Sequence, residues 1–440
     1  MESLPPSGAR GILILDMSYT LRMFRERQLW QALESRKLGG FFDTVISVHP
    51  LAGLFEAGGR HHGAPEVTQL DDRHVFVEGR VAAVRWLRPL APLNLLVAQV
   101  RLIRLLLRMA RQARISVVRV GDPHYLGILG WLLARRLGVP LVVRVPFRYE
   151  EIRRATGRAA MPRLIRFCWV ERRIERFVFR RCDLIAGANE DNMRYAIEHG
   201  GRREAATVFR YGNLLHPSHW VHPGERPDPS RELDELGLGG KRFVATVARL
   251  EAEKHVGDAI RVVAELNRQG ADVHGLIVGD GALRQQLADT AQTLGAGERI
   301  VFAGTRPQEW IARVLPRAAA IVSPHMGRAL VEAALSAVPL VAYDYDWQRE
   351  IVLDGDTGYL VEHGNWREMA DRTAALLADP ERARIMGERA RSKASAMMDP
   401  DVLMCHEQAV YTALLERRAS GSSEDGESLR ASRTAPGTTK

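Results

Sequence analysis

Two cations, Arg249 and Lys254 in the segment VARLEAEKH, follow an apolar run with the make-up of a buried strand. An arginine presents a planar fork that suits two oxygens of one phosphate, and a lysine presents a compact point charge. Together they would hold a pyrophosphate and neutralise the charge it gains as a leaving group. The same side chains would also suit an ordinary solvated loop. Further on, Gly279-Asp280-Gly281 ends the run LIV. Paired glycines let a backbone approach a ligand closely, or make a simple tight turn. In SPHMGRALVEAAL, Gly327, Arg328 and Ala329 stand where a helix begins. The unbonded N–H groups of a helix start suit a diphosphate. Glu332 lies one turn inside that helix among apolar neighbours. A carboxylate so placed needs hydrogen-bond donors. Ribose hydroxyls would serve, as would a neighbouring loop.

For these segments to converge, each must be a strand-to-helix turn at the carboxyl ends of parallel strands, where open sheets bind ligands. The hydrophobic pattern supplies such turns. Apolar runs over 11–16, 43–49, 115–120, 139–145 and 183–186 alternate with helical periodicity over 24–37, 94–113, 125–137 and 162–181. Residues 221–240 are rich in Pro, Gly and charge and read as a domain boundary. Beyond them, strands over 242–248, 273–278, 299–302, 319–323 and 339–343 alternate with helices over 256–269, 282–294, 308–318 and 327–337. Continuous apolar strands between helices predict βαβ units and parallel sheets. The expected fold is therefore α/β, with two doubly wound Rossmann-like domains facing each other across a cleft, over 1–222 and 241–418. The remaining 419–440 is Ser/Gly/Thr-rich without periodicity and is expected to be disordered.

A chain of 440 residues exceeds what one core serves, and 46% hydrophobic residues suffice for two. Cys168, Cys182 and Cys405 are far apart, without metal-like spacing, which suits reduced thiols in the cytoplasm. The N-terminus lacks the pattern of a signal peptide, and no apolar run approaches the roughly 18 residues of a membrane span. The net charge of +9 is uneven: between Arg101 and Arg181 stand 20 Arg and five acids, 20 − 5 = +15. Such an excess invites nucleic acid, an anionic membrane or a phosphorylated substrate, although Arg-rich coding would also decorate ordinary solvated faces.

Taken in order, VARLEAEKH, IVGDG, VFAGT, SPHMGRALVEAALSAVPLVAYD and REIVLDGDTGYLV resemble the retaining GT-B glycosyltransferases of family four. The likeness is clear from about residue 242 to 411 and fainter in the N-terminal half. It implies GT-B architecture and sugar transfer from a nucleotide-diphosphate sugar with retention, without a metal or other cofactor. That family's phosphate-binding Arg and Lys fall on Arg249 and Lys254, its helix-start glycine on Gly327, and its ribose-binding glutamate on Glu332. Three positions depart from the pattern. Pro324 stands where the family has the first glutamate of its pair, beside the transferred sugar, and His325 is the adjacent substitute. Asp346-Trp347 replaces a double glycine. Pro146-Phe147-Arg148 replaces the N-terminal domain's histidine, which leaves His124 in GDPHY as the polar candidate for the catalytic cleft.

For the acceptor, the basic N-terminal half is the guide. In VRLIRLLLRMAR, Arg101, Arg104, Arg108 and Arg111 recur at helical spacing beside an apolar face. In PRLIRFCWVERRIERFVFRR, Phe167, Trp169, Phe177 and Phe179 interleave with arginine. Basic amphipathic helices with aromatics suit a membrane surface, whereas both helices must also pack an apolar face on the sheet. The expectation is a cytoplasmic enzyme at the inner face of the cell membrane, with a glycan or lipid-linked acceptor in envelope polysaccharide or glycolipid synthesis. Nucleic acid is not expected, because the aromatics lie on helices rather than on an exposed sheet. The alternatives are a glycosyltransferase-like binding protein that no longer turns over, suggested by Pro324, and an epimerase or phosphorylase on the same scaffold.

Overall fold

The computed structural model describes residues 10–26, 29–55, 62–212 and 215–431. They form two units, one made of residues up to 214 together with 400 onward, the other of Leu215–Asp399.

In the first unit eight strands make one sheet: β1 (Gly11–Leu15), β2 (Thr44–His49), β3 (Glu66–Asp71), β4 (His74–Glu78), β5 (Ile115–Val120), β6 (Leu141–Val145), β7 (Leu184–Gly187) and β8 (Ala206–Val208). Their order is β3-β4-β2-β1-β5-β6-β7-β8, and every neighbour pair is parallel except β3 with β4. That antiparallel hairpin and β8 were not expected from the sequence. The reason is visible in β3: EVTQLD sits at the sheet edge, largely exposed, and has too few apolar residues to mark a strand. The two faces of the sheet carry separate clusters. Leu102, Leu106, Leu129, Leu133, Val178 and Phe179 cover one face from helices Ala91–Gln112, Tyr125–Leu137 and Cys168–Phe179.

The opposite face, with Ile12, Val117 and Val142, is covered by Phe42, Phe209 and the fully buried Tyr411. Tyr411 belongs to the last helix, Pro400–Ala431. Arg119 on β5 binds Glu407 of that helix at 3.1 Å, and Gln408 donates to the Leu38 carbonyl at 2.9 Å. Residues 400–418, assigned by sequence to the second domain, therefore complete the first. Residues 419–431, expected to be disordered, continue the helix, while 432–440 lie outside the described residues.

The boundary also moves, because 221–240 is not a linker. Arg226 donates to the carbonyls of Val221, Ala312, His219 and Leu335, and Ser230–Glu235 is a helix. These bonds tie the Pro-rich segment onto the second unit. Two helices differ as well. The basic helix expected over 162–181 is Cys168–Phe179, preceded by a separate helix Tyr149–Thr156 that ends at Gly157 with φ 65°. The span 24–37 is broken into Leu21–Glu26, Trp30–Glu34 and a short turn.

The second unit has six parallel strands, β9 (Phe243–Val247), β10 (His274–Val278), β11 (Ile300–Gly304), β12 (Ala320–Ser323), β13 (Leu340–Tyr343) and β14 (Gly358–Val361), in the order β11-β10-β9-β12-β13-β14. Chain order runs outward in both directions from the β9/β12 pair. This is the doubly wound order whose switch point binds nucleotides at the strands' carboxyl ends. Helix Val256–Arg268 packs Ile260, Val263 and Leu266 on the sheet, and Trp366–Ala378 adds Met369 and Leu376.

Candidate functional site

The β9/β12 switch point is where the two most suggestive sequence segments leave the sheet. After β9 the chain is knit to the loop after β10. Ala248 N–H donates to the Val278 carbonyl, and Leu250 N–H to that of Asp280, each at 3.0 Å. Gly279 has φ 136°, and a Cβ there would collide with the Ala248 carbonyl oxygen. A Cβ on Gly281 would lie 2.6 Å from the Leu250 carbonyl oxygen. The glycines are thus explained by loop-to-loop contact. Asp280 is exposed, its carboxylate accepting from the Gly281 N–H at 2.8 Å.

Arg249 points to solvent and pairs with Glu253 at 3.0 Å, four residues on. Lys254 is half-buried and ends a short turn, Ala252–Lys254. His255 follows at φ 50°, a left-handed conformation in a side chain that must turn the chain sharply into helix Val256–Arg268. Burial and then the charge of Arg249 hold the Lys254 amine below its ordinary range, against the opposing pull of Glu253 and Asp346. A Cβ built on Gly327 would lie 3.5 Å from the Lys254 Nζ, so the lysine meets the turn after β12.

That turn is tighter than expected. The helix is only Ala329–Ala334, and Gly327 (φ 66°) and Arg328 precede it as a turn. Glu332 is 4% exposed, and burial raises its carboxyl above the ordinary range. Its one charged neighbour among the described residues is Arg328, itself half-exposed, at 3.9 Å. No described side chain or backbone N–H gives the carboxylate a hydrogen bond within normal distance.

His325 links three loops. Its Nδ1 lies 2.8 Å from the Glu253 carbonyl oxygen and its Nε2 3.2 Å from Asp346 Oδ2. Both partners are acceptors, so both bonds form together only when the ring carries two protons. Pro324 is buried, and its carbonyl accepts from Gln348 Nε2 at 3.1 Å. Gln348, fully buried, also donates to the carbonyls of Ser323 and Tyr343 and accepts from Ser323 Oγ at 2.5 Å. Trp347 is buried, so Asp346-Trp347, where the resemblance led us to expect a double glycine, is part of the packed structure. Around this bridge Tyr345 stacks on His363 at 4.4 Å between centroids and meets His325 edge-on at 5.2 Å. Gln348, Tyr345 and His363 were not singled out by sequence. The signal was available for His363, which with Gly364 follows β14 as the earlier turns follow their strands.

His124 lies in the first unit with no exposed surface, its Nε2 3.0 Å from Glu175 and its backbone N–H donating to Asp122 Oδ1 at 2.8 Å. Burial pushes the Asp122 carboxyl up to about 6. Glu175 also binds Arg153 at 3.1 Å and the Tyr195 hydroxyl, and Arg153 reaches Glu171 at 3.0 Å. The histidine expected in a catalytic cleft is therefore an interior member of a buried ionic network. Of the interleaved aromatics, Phe179 is buried and Phe177 partly so, whereas Phe167 and Trp169 are more than half exposed.

Comparison with known proteins now decides the family. The family described as "Glycosyl transferases group 1" matches residues 231–393, and the "Glycosyl transferase 4-like domain" matches 27–212. Alpha-D-kanosaminyltransferase of Streptomyces kanamyceticus is 31% identical over 272 residues, covering 59% of this chain and 67% of the relative. The chain belongs to the group 1 glycosyltransferases. D-inositol 3-phosphate glycosyltransferase of Nocardia farcinica is 32% identical over 286 residues, 61% of this chain and 60% of its own length. A GDP-mannose-dependent phosphatidylinositol monomannoside mannosyltransferase of Mycolicibacterium smegmatis is 32% identical over 179 residues, 38% of this chain and 47% of its own. The alignments thus span about half to two thirds of these curated relatives. Among solved structures, Anabaena Alr3699/HepE in complex with UDP and glucose superimposes with a TM-score of 0.67 at 19% identity, over 92% of this chain and 100% of that one. WaaG, a glycosyltransferase of lipopolysaccharide biosynthesis, gives 0.61 at 13%, over 91% and 99%. These likenesses show the GT-B fold, and the two α/β sheets, parallel but for β3 with β4, agree with it. In this glycosyltransferase the group 1 match covers the whole set from Arg249 to Glu332.

Proposed function

We propose that the second unit binds a nucleotide-diphosphate sugar at the β9/β12 switch point. The observation that carries this is Glu332, a nearly buried carboxylate without a hydrogen-bond donor among the described residues, one turn beyond a loop that meets Lys254. In this reading Glu332 accepts from the ribose hydroxyls. Arg249 and Lys254, with the backbone of Gly327, Arg328 and Ala329, hold the diphosphate and stabilise it as it leaves. Charge fixed in advance against a developing charge is usually the largest catalytic contribution. No metal or cofactor enters the proposal. Gly279, Asp280 and Gly281 support the site by fixing the Arg249 loop.

The sugar is transferred with retention to a glycan or lipid-linked acceptor, in polysaccharide or glycolipid synthesis on the cytoplasmic side of the cell envelope. The named activities of the relatives, which include mannosyl transfer to a phosphatidylinositol glycolipid, support that acceptor class. No described helix is long and apolar enough to cross a membrane. Pro324 favours one second reading, a protein that binds donor without turnover. A thermal-shift panel of UDP-, GDP- and ADP-sugars tests binding, since a ligand held by the folded state alone raises the melting temperature. Following donor consumption in the same samples separates the two readings. A panel in which no nucleotide sugar shifts the protein would overturn the donor site.

A further inference from the structure

Helix Ala91–Gln112 has 22 residues and two unlike faces. Its inner face, with Ala98, Leu102, Leu106 and Ala110, is buried on the first sheet, as a doubly wound fold requires. Its outer face should then be polar. Instead, Leu93 (45% exposed), Leu96 (59%) and Val100 (36%) occupy it. Arg104, Arg108 and Arg111 continue the same stripe, all exposed. The six positions recur at steps of three and four residues and so fall on one line along the helix. None of the three arginines has an ion pair among the described residues. Just before the helix, Trp86 (77% exposed) and Leu90 (55%) extend the apolar end. From Gly79 to Gly121 the chain holds nine arginines and no acidic residue.

A solvent face that is apolar over its first half and cationic over its second is poorly suited to water. It matches a bilayer surface, where apolar side chains enter the acyl boundary and arginines meet lipid phosphates. Tryptophan is the side chain that favours this interface, with its ring in the apolar layer and its N–H toward water. Nucleic acid would account for the arginines but leave Leu93, Leu96 and Trp86 exposed. We propose that this face, from Trp86 to Arg111, is a peripheral docking surface for anionic membrane. It deepens the lipid-side acceptor of the proposed function and rests on that reading only for its biological purpose.

Co-sedimentation of the full chain with vesicles tests it. The expected result is binding to phosphatidylcholine vesicles containing phosphatidylglycerol, weakening with salt, and little binding to phosphatidylcholine alone. Each interfacial arginine contributes about fivefold, so Arg104→Ser, Arg108→Ser and Arg111→Ser together weaken binding about a hundredfold. Leu93→Ser with Leu96→Ser weakens it about tenfold or more even at low salt, because two buried leucines are lost. Brominated lipid quenches tryptophan emission in the wild type, and Trp86→Phe removes part of that quenching. All substituted residues are exposed, and an unchanged melting temperature confirms each variant's fold. The proposal is overturned if anionic vesicles are not bound at low salt. It is equally overturned if the leucine pair binds them like wild type while the arginine variant loses only oligonucleotide binding. The nucleotide-sugar panel is a separate measurement, so vesicle binding without any nucleotide effect would sink the donor site and leave this surface standing.

Discussion

At the scale of single residues, Glu332 and the two cations carry the strongest expectations. Burial disfavours the ionised Glu332, so the folded protein holds that proton more tightly than the unfolded chain does. Its contribution to stability is full below the ordinary value of 4.5 and is lost as pH rises through the raised folded value. Melting curves of Glu332→Gln should therefore show a higher melting temperature than wild type at pH 8 and the same one at pH 4. Ribose hydroxyls donate to the ionised form, so wild-type affinity for a nucleoside diphosphate should fall as pH drops, and that of Glu332→Gln should be lower and flat. Calorimetric titration at several pH values measures both trends. Arg249→Ala and Lys254→Ala should each reduce donor turnover by about a hundredfold or more while leaving the fold intact. Turnover near the wild-type rate in either variant would remove the cation's assigned role. Arg249 is solvent-facing and in the proposed site would exchange Glu253 for phosphate at little cost, whereas Lys254 is half-buried beside the turn at Gly327.

At the scale of elements, the loops after β9 and β10 act as one piece. Gly279 combines a φ of 136° with direct contact on the Ala248 carbonyl. Gly279→Ala should cost about 1–3 kcal/mol from backbone strain alone and lower donor affinity by displacing the Arg249 loop. Chemical denaturation and nucleotide titration of the one variant would show whether the two losses come together. In the first unit, Arg153 holds helix Tyr149–Thr156 to Cys168–Phe179 through Glu171 and Glu175. Removing the cation leaves two buried carboxylates, so Arg153→Ala should destabilise by about 3–5 kcal/mol. This network also gives His124 a surrounding that the sequence did not reveal. GDPHY marks a strand-to-helix turn correctly, but only packing shows that helix Cys168–Phe179 brings Glu175 over the ring.

At the scale of the whole molecule, the chain leaves the first unit, builds the second, and returns to finish the first. Helix Pro400–Ala431 supplies Tyr411 to a cluster with Phe42 and Phe209, while the proposed donor site stands on a cluster drawn from the second unit. Tyr411→Ala should cost about 3–5 kcal/mol, as loss of a large buried aromatic does. A nucleotide at a hundred times its dissociation constant should add about 2.7 kcal/mol to the second unit. Scanning calorimetry is expected to show the substitution and the ligand acting on different parts of the unfolding profile. A single transition moved equally by both would show that the units unfold as one.

Local chemistry alone determined a good deal of this protein. Short apolar runs such as LIV in HGLIV and AIV in AIVS, too brief for helices, read as strands buried on both faces, and helical periodicity between them points to parallel βαβ units. The turns that follow those strands therefore lie on one edge of a sheet, and the sequence placed Arg249, Lys254 and Gly327 there, with Glu332 in the short helix that follows. Tertiary structure alone decided what depends on partners distant in sequence. It assigned Gly279 and Gly281 to a neighbouring backbone, His124 to Glu175, Pro324 and Asp346 to the Gln348 and His325 bridges, and the last helix to the first unit. It also separated the inner face of helix Ala91–Gln112 from the outer one. Periodicity states that a helix has an apolar stripe, but which residues water still reaches depends on what the rest of the chain covers.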